Sequence, residues 1–476
     1  MLESSLPAAG QSSSPAHSAS RMPQASRRQW LQAGLAAGAA TAWPDLISKP
    51  AQAADLSSKW MTIESIERTT VMVPYREVPA RSMARELPHW RYSEIFEVRL
   101  KSGKVGLGET LLFYTWGATT DEDVQRAQGQ NALELMWDDS LGAGLQMALF
   151  DAVARSLDCP VHALLGQKKH QKTLLSWWNI DTSPEDMALE CAEAYRLGYR
   201  SYKTKGRPWI DLWAQIEQSC KVIPPEFKID MDFNDTLLEA DRAIAILSQF
   251  DKIPQIDIWE GPIPQSDLAG NHKIREAVTP KVALHYGKPD PIKMIRADAV
   301  DGFVMGGGAS FLIAGNAVSE MADLPFWLQL VGTGITAAFS LQFAGALSYA
   351  RWPAVNCHQL YTKNMLTQPI LLKDGYADVP DRPGLGFELD RDAVQAFKVA
   401  KPKERPEPER LIETIWPDGK KMYIANTGKT NFMLQRAINA EMPYFTKGVK
   451  TRLFPNDGTP RWRQLYTAAR EKAVFE

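Results

Sequence analysis

The chain runs to 476 residues, 45% hydrophobic and 23% charged, the make-up of a folded protein with one large domain plus attachments or two to three ordinary domains. A formal charge of −2 and an isoelectric point near 6.4 offer neither nucleic acid nor an anionic membrane an electrostatic footprint.

Residues 1 to 25, rich in Ser, Ala and Pro, read as a disordered leader. SRRQWLQAGLAAGAATAW follows, with Arg27 and Arg28 ahead of a mild Ala/Gly-rich run, and AQAA then places Ala51 and Ala53 in small-x-small positions. That order predicts a cleaved twin-arginine signal within residues 1–53 and a protein exported to the periplasm or the exterior. The run is too short and too weakly apolar to fill the roughly 20 residues of a bilayer span, so no membrane span is expected after cleavage. Cys159, Cys191, Cys220 and Cys357 are widely spaced and form no CxxC. Buried free thiols are expected, with a single bridge as the alternative.

TIESIERTTVMVPY and YSEIFEVRLKSGKVGLGET alternate apolar and polar residues and predict antiparallel strands, the second stretch a hairpin about Lys101-Ser102-Gly103-Lys104. Between them, residues 76–92 carry Arg76, Arg81, Arg85, His89, Trp90 and Arg91 with little periodicity and are expected as a loop. GAGLQMALFDAVARSL has helical spacing through Leu145, Leu149, Val153 and Leu157. From residue 174 to 350, seven apolar runs (LLSWWNI, YRSYKTK, FKIDMDF, IPQIDIWEG, PKVALHYG, AVDGFVMGG, PFWLQLVG) alternate with amphipathic stretches. Such repeats imply a parallel sheet covered by helices, and their number favours a closed β/α barrel. The expected organisation is an α+β domain over 59–170 with part of 365–395, then a barrel over 171–364. An extension over 396–476 follows, made of the charged, Pro-rich linker KPKERPEPER, a hairpin at Asp418-Gly419 and a capped helix in TPRWRQLYTAAREKAV.

In a barrel, polar residues at strand C-terminal ends are the catalytic candidates. SYKTKG ends one strand with Lys203 and Lys205 on one face. DMDFND ends the next with Asp230, Asp232 and Asn234, and IWEGP ends the third with Glu260. Two ammonium groups so close are unfavourable unless an anion joins them. Neighbouring carboxylates suit a hard divalent ion such as magnesium, and a lysine among cations can act as a base. A purely structural ion-pair network would use the same residues, and the residues alone leave both open.

Six pieces in order, VRLKSGKVGLGET, LGAGLQMALFDAVARSLDCPVHALLG, YKTK, DMDFN, WEGP and GYADVPDRPGLGFELD, resemble the mandelate racemase and muconate lactonizing family of the enolase superfamily. The resemblance implies an α+β capping domain over a modified TIM-type (β/α)7β barrel. It also implies a divalent metal, Mg2+ by family, that binds the carboxylate of a small acid, and a base that removes the α-proton. By the same resemblance Lys205 is the base and Lys203 its partner on the carboxylate. Asp232 and Glu260 correspond to metal ligands, and Asn234 is a substrate-side polar residue beside the first of them. A homo-oligomer is compatible with the family.

The pattern departs in two places. Tyr286 stands where the family has a third carboxylate ligand, with His285 before it and Asp290 in the next loop. Asp232, Glu260 and His285 would still bind a divalent ion, with preference moved from Mg2+ toward Mn2+, iron or zinc. The family's racemases also set an aspartate and a histidine across the site. Asp301 corresponds to that aspartate, but Gln329 replaces the histidine, and Val304 and Met305 replace the lysine of muconate lactonizing types.

Two classes of function follow. One is an exported enzyme that removes the α-proton of a sugar acid and loses the β-hydroxyl from the same face, a syn dehydration, or an epimerase using both lysines. Trp178 and Gln329 would line its substrate, and the arginines of 76–92 would suit an anionic one, although for any single arginine a solvated loop is the simpler account. The other is a ligand-binding module on a degenerate enzyme fold, with Trp177, Trp178 and the extension as contact surfaces. The set Lys203, Lys205, Asp232, Asn234 and Glu260, retained together, favours the enzyme.

Overall fold

The computed structural model describes residues 59–114 and 117–476, so the leader and signal sequence lie outside the described residues. A three-stranded antiparallel sheet comes first, in the order β1 (Ile63–Met72), β2 (Tyr92–Leu100), β3 (Val105–Leu111). The β2–β3 hairpin turns as expected, with Gly103 at φ +79. Residues 76–92 are not a loop: they form α1 (Glu77–Glu86) and a 3-10 turn over Pro88–Arg91. The helical period is hidden because α1 buries Ser82, Arg85 and Glu86 alongside Met83. Those charges tolerate burial because Arg85 and Glu86 pair at 2.6 Å. Helix α2 (Ala143–Ser156) packs on the sheet at close range, and a methyl group on Gly106 would stand 2.1 Å from the Ala148 carbonyl oxygen.

Eight parallel strands follow: β4 (Lys172–Trp178), β5 (Ser201–Lys205), β6 (Lys228–Asp232), β7 (Ile256–Glu260), β8 (Lys281–His285), β9 (Gly302–Met305), β10 (Phe326–Leu328) and β11 (Ala354–Val355). Each pairs with the next through β10, and β11 lies against β4. A parallel bridge between Gln329 and Val355 joins the two ends and closes the ring. A helix separates each consecutive pair of strands, the last being α3 (Gly334–Ala346) between β10 and β11, so the barrel is (β/α)7β. Its strands bury Trp177, Trp259 and Trp327. A short strand, β12 (Tyr376–Asp378), then pairs antiparallel with β4, and the chain returns to the cap, where Lys398 bridges Val71.

One buried carboxylate fastens cap to barrel. Glu109 on β3 accepts hydrogen bonds from the Thr333 and Thr336 amides (2.7 and 3.2 Å) at the start of α3, and from the Ser93 hydroxyl (3.0 Å). Glu109→Gln turns an amide donor toward those donors, and a loss of about 1–3 kcal/mol is expected in a urea denaturation series.

The extension folds as an antiparallel sheet in the order β15 (Lys450–Phe454), β13 (Leu411–Ile415), β14 (Lys421–Ala425), β16 (Val474–Phe475). Helix α4 (Pro460–Glu471) is capped by the Thr459 side chain. The hairpin and α4 match expectation, while β15 and β16 are additional. Trp209 and Ile210, from the loop after β5, share an apolar cluster with Ile412, Trp416 and Met422 of the extension. Arg410 donates to the Arg85 and Glu86 carbonyls (2.6 and 3.1 Å) at the end of α1, and the Gly448 amide donates to Asp211 (2.6 Å). The extension therefore holds both cap and barrel. All four cysteines are free, and no helix among the described residues is long and apolar enough to cross a membrane.

Candidate active site

Strand register assembles the site. Pairing of β5 with β6 sets Lys203 beside Asp230 and Lys205 beside Asp232, and pairing of β6 with β7 sets Asp232 beside Glu260. Alternation along each strand turns these side chains to the barrel interior, at or just below its C-terminal mouth. Lys203, fully buried, pairs with Glu260 and donates to Gln329 Oε1 at 2.6 Å. Its ammonium also lies 5.0 Å from the Trp327 ring centre. Lys205 pairs with Asp232 and donates to Asn234 Oδ1 at 3.1 Å. His285 Nε2 reaches Glu260 Oε1 at 3.0 Å.

The electrostatics follow from burial. Burial lowers the pKa of the Lys205 amine; Asp232 opposes this, and Lys203 and Arg207 reinforce it. Burial alone would raise the Glu260 carboxyl, but Lys203, His285 and Lys205 outweigh it and hold the group well below the usual carboxylate range. Asp230 sits deeper, held by Ser201 at 3.1 Å, and burial with the nearby Asp257 pushes its carboxyl upward.

Two residues escaped sequence reasoning. Arg207, almost fully buried, donates to Asn234 Oδ1 (2.8 Å), Asp181 Oδ1 (3.1 Å) and the Phe233 carbonyl (3.1 Å). Its period-two spacing from Lys205 in KTKGR was the available signal. Asp235, the last residue of DMDFND, is lifted to about 6 by burial and by Asp232.

Other expectations are corrected. Asp301 is not at the mouth: β9 begins at Gly302, so Asp301 stands at the opposite end of the barrel, accepting from the Val282 amide (2.8 Å) and Arg275 Nε (2.6 Å). Tyr286 turns its ring onto Phe303 and Phe311, with centroids 5.4 and 5.3 Å away. Asp290, the acid in the loop after His285, caps the helix Pro291–Arg296. The four cap arginines serve structure: Arg76 pairs with Glu190, Arg81 with Asp186 and Arg85 with Glu86, while Arg91 covers the Tyr75 ring.

Above the charged floor is a cavity of about 450 Å³. Its walls include Trp178, stacked on Trp90 of the cap at 5.4 Å, and Tyr114, edge-on to Trp90 at 5.1 Å. Thr430 and Asn431 of the extension complete the lining. A cleft of about 500 Å³ elsewhere, beside Lys104, Arg155 and Glu388, lies away from this chemistry and contains an Arg155–Glu388 ion pair.

Asp232, Glu260 and His285 supply a donor set that a divalent cation accepts. Glu260 is fully buried, yet neither of its oxygens makes a well-angled hydrogen bond; its contacts with Lys203 and His285 are charge pairs. The donor types suit an ion, but both carboxylates are paired with lysines and the ligand atoms of the three residues do not all lie within 4.8 Å of one another. Among the described residues, the one group of His, Cys, Asp or Glu whose ligand atoms lie within 4.8 Å of one another is His272, Glu276 and Asp298, which is largely exposed.

A family model for the enolase C-terminal domain matches residues 186–393, and the fold matches that of solved structures. Against the muconate lactonizing enzyme of Pseudomonas fluorescens the TM-score is 0.59 at 22% identity, covering 71% of this chain and 100% of that one. The chain is 25% identical over 262 residues to the N-succinylamino acid racemase of Thermus thermophilus, covering 53% of this chain and 70% of the relative. The matched domain and these relatives support membership of the mandelate racemase and muconate lactonizing family of the enolase superfamily. A further family relative, the arabinonate dehydratase of Saccharolobus solfataricus, is 23% identical over 340 residues, covering 63% of this chain and 89% of its own. Enolase-superfamily enzymes use a divalent metal, typically Mg2+. The match to the enolase domain model stops at residue 393, ahead of the extension.

Proposed function

We propose that the protein removes the proton α to the carboxylate of a sugar acid, with Lys205 as the base, and eliminates the β-hydroxyl as water; epimerisation is the variant. The supporting observation is the convergence of Lys203, Lys205 and Asp232 on one cavity, with Glu260 paired to Lys203 beneath it and Gln329 facing them where a second base would stand. Lys203 Nζ holds the carboxylate. Neutral Lys205 Nζ takes the α-proton, and the electron pair of the Cα–H bond forms the new double bond. The β C–O bond breaks on the same face, and the departing hydroxyl takes the proton from Lys205 and leaves as water. Asp232, Glu260 and His285 would hold the ion, Mg2+ by family or Mn2+ given the imidazole, which supplies positive charge at the carboxylate. The test is deuterium exchange at Cα in heavy water over a panel of sugar acids; no exchange with any of them counts against the reading.

Lys205 accepts a proton only when neutral. Because burial lowers its pKa, kcat/KM is expected to rise with pH through a midpoint below lysine's ordinary value of about 10.4. A rate independent of pH up to that value would remove Lys205 as the base.

The ion-pairing of both carboxylates by lysines favours a second reading, a ligand-binding module that has lost its metal. Metal content by mass spectrometry separates the two. One Mn2+ or Mg2+ per chain, lost in Glu260→Gln, is the enzyme's result; a wild type that acquires neither supports the module. Export through the twin-arginine route is also proposed, resting on Arg27, Arg28 and the AQAA stretch, and N-terminal sequencing of the protein from a periplasmic fraction tests it.

A further inference from the structure

The cations that line the cavity all stand at its floor: Lys203, Lys205 and Arg207, with His285 beside them. Arg207 is already engaged by Asp181 at 3.1 Å. The opposite wall is neutral. The cap contributes Leu87, Trp90, Phe113 and Tyr114, and the cap arginines that could have supplied a second anion clamp are bound elsewhere. The only other polar groups reaching that wall among the described residues belong to Thr430 and Asn431 of the extension. Their loop is held in place: Arg405, itself outside the cavity lining, donates to the Thr430 hydroxyl and the Gly428 carbonyl. Asn431 then takes a left-handed backbone, φ +56, at the N-cap of the helix Phe432–Ile438.

We propose that the extension is the far wall of the catalytic cavity, and that Thr430 and Asn431 select acids with a single carboxylate and a neutral, hydroxylated far end. The inference rests on the floor binding a carboxylate, as proposed above. A monoacid places its charge on the lysines, lays its C–H faces on Trp90 and Trp178, and presents its last hydroxyls to Thr430 and Asn431. A diacid of equal length would bring a second carboxylate against a neutral wall whose nearest cation, Arg405, stands outside the lining and is already paired with Glu407, and so lose its hydration without return.

The experiment is calorimetric titration of the full chain, with Mg2+ or Mn2+ present, using glycolate, gluconate and glucarate. Glycolate reaches only the floor. Gluconate adds neutral hydroxyls, and glucarate has the same carbon count with a second carboxylate. Wild type is expected to bind gluconate about tenfold tighter than glycolate, the worth of one or two hydrogen bonds, and glucarate no tighter than glycolate. Thr430→Ala and Asn431→Ala are each expected to remove most of that gain while leaving glycolate unchanged. Asn431→Arg, with Thr430→Arg as a second route should the first disturb the left-handed turn, should raise glucarate affinity about tenfold. Glucarate bound as well as gluconate by wild type, or a gluconate gain that survives both alanine variants, overturns the inference while leaving the floor intact. Failure of glycolate itself to bind overturns the floor reading, and this inference with it.

Discussion

Lys205→Ala is expected to abolish α-proton exchange, lowering kcat/KM by about a thousandfold or more. A positioned general base contributes about 10²–10⁴, and nothing nearby substitutes for this one. Lys203 is fully buried and committed to Glu260 and Gln329. His285 lies against Glu260, and Asp301 stands at the other end of the barrel. Lys205→Arg should be equally inactive, because a guanidinium keeps its proton at any working pH while preserving the charge beside Asp232. The arginine variant thus separates loss of the base from loss of the ion pair. Exchange in Lys205→Arg within tenfold of wild type would show that another group takes the proton.

The largest expected effect on stability is at Arg207. Its ion pair with Asp181 is almost dry, with side-chain exposures of 3% and 2%. Truncation to Ala leaves Asp181 with Trp209 Nε1, at 3.1 Å, as its remaining side-chain hydrogen-bond partner, and breaking a buried pair in this way costs about 3–5 kcal/mol. The damage should spread, because the same guanidinium fixes Asn234 and because Trp209 belongs to the apolar cluster shared with the extension. Urea denaturation of Arg207→Ala, Asp181→Ala and the double variant measures this directly. A large coupling energy is expected, whereas additive single effects would mean that the two residues act separately.

The barrel was legible because its strands are apolar runs ending in polar residues, and each site residue on β5, β6 and β7 closes its run. Strand β11, two residues long, carries no period to read. Helix α1 was lost because its buried face holds Arg85 and Glu86, so charge masks the helical stripe. Asp301 was misassigned because it lies near the start of its run, AVDGFVMGG, and so belongs to the base of the barrel rather than to the strand ends that carry the site. Arg207 had only its period-two spacing from Lys205 to announce it, and the Thr430–Asn431 loop, which reaches the cavity from far along the chain, had no local spacing at all.

Arg410 closes the last carbonyls of α1 from 325 positions downstream. A helix end finished by so remote a residue imposes an order on synthesis. While the polypeptide is still emerging, the cap can form its sheet and the barrel can close, but α1 has no partner for its final turn. The loop to be closed is long, its entropic toll grows as the logarithm of that length, and distant pairings slow folding. Maturation should therefore end in one late docking step. A ribosome-bound intermediate arrested before that step would hold its lysines in a cavity still open to solvent on the side that Thr430 and Asn431 later fill.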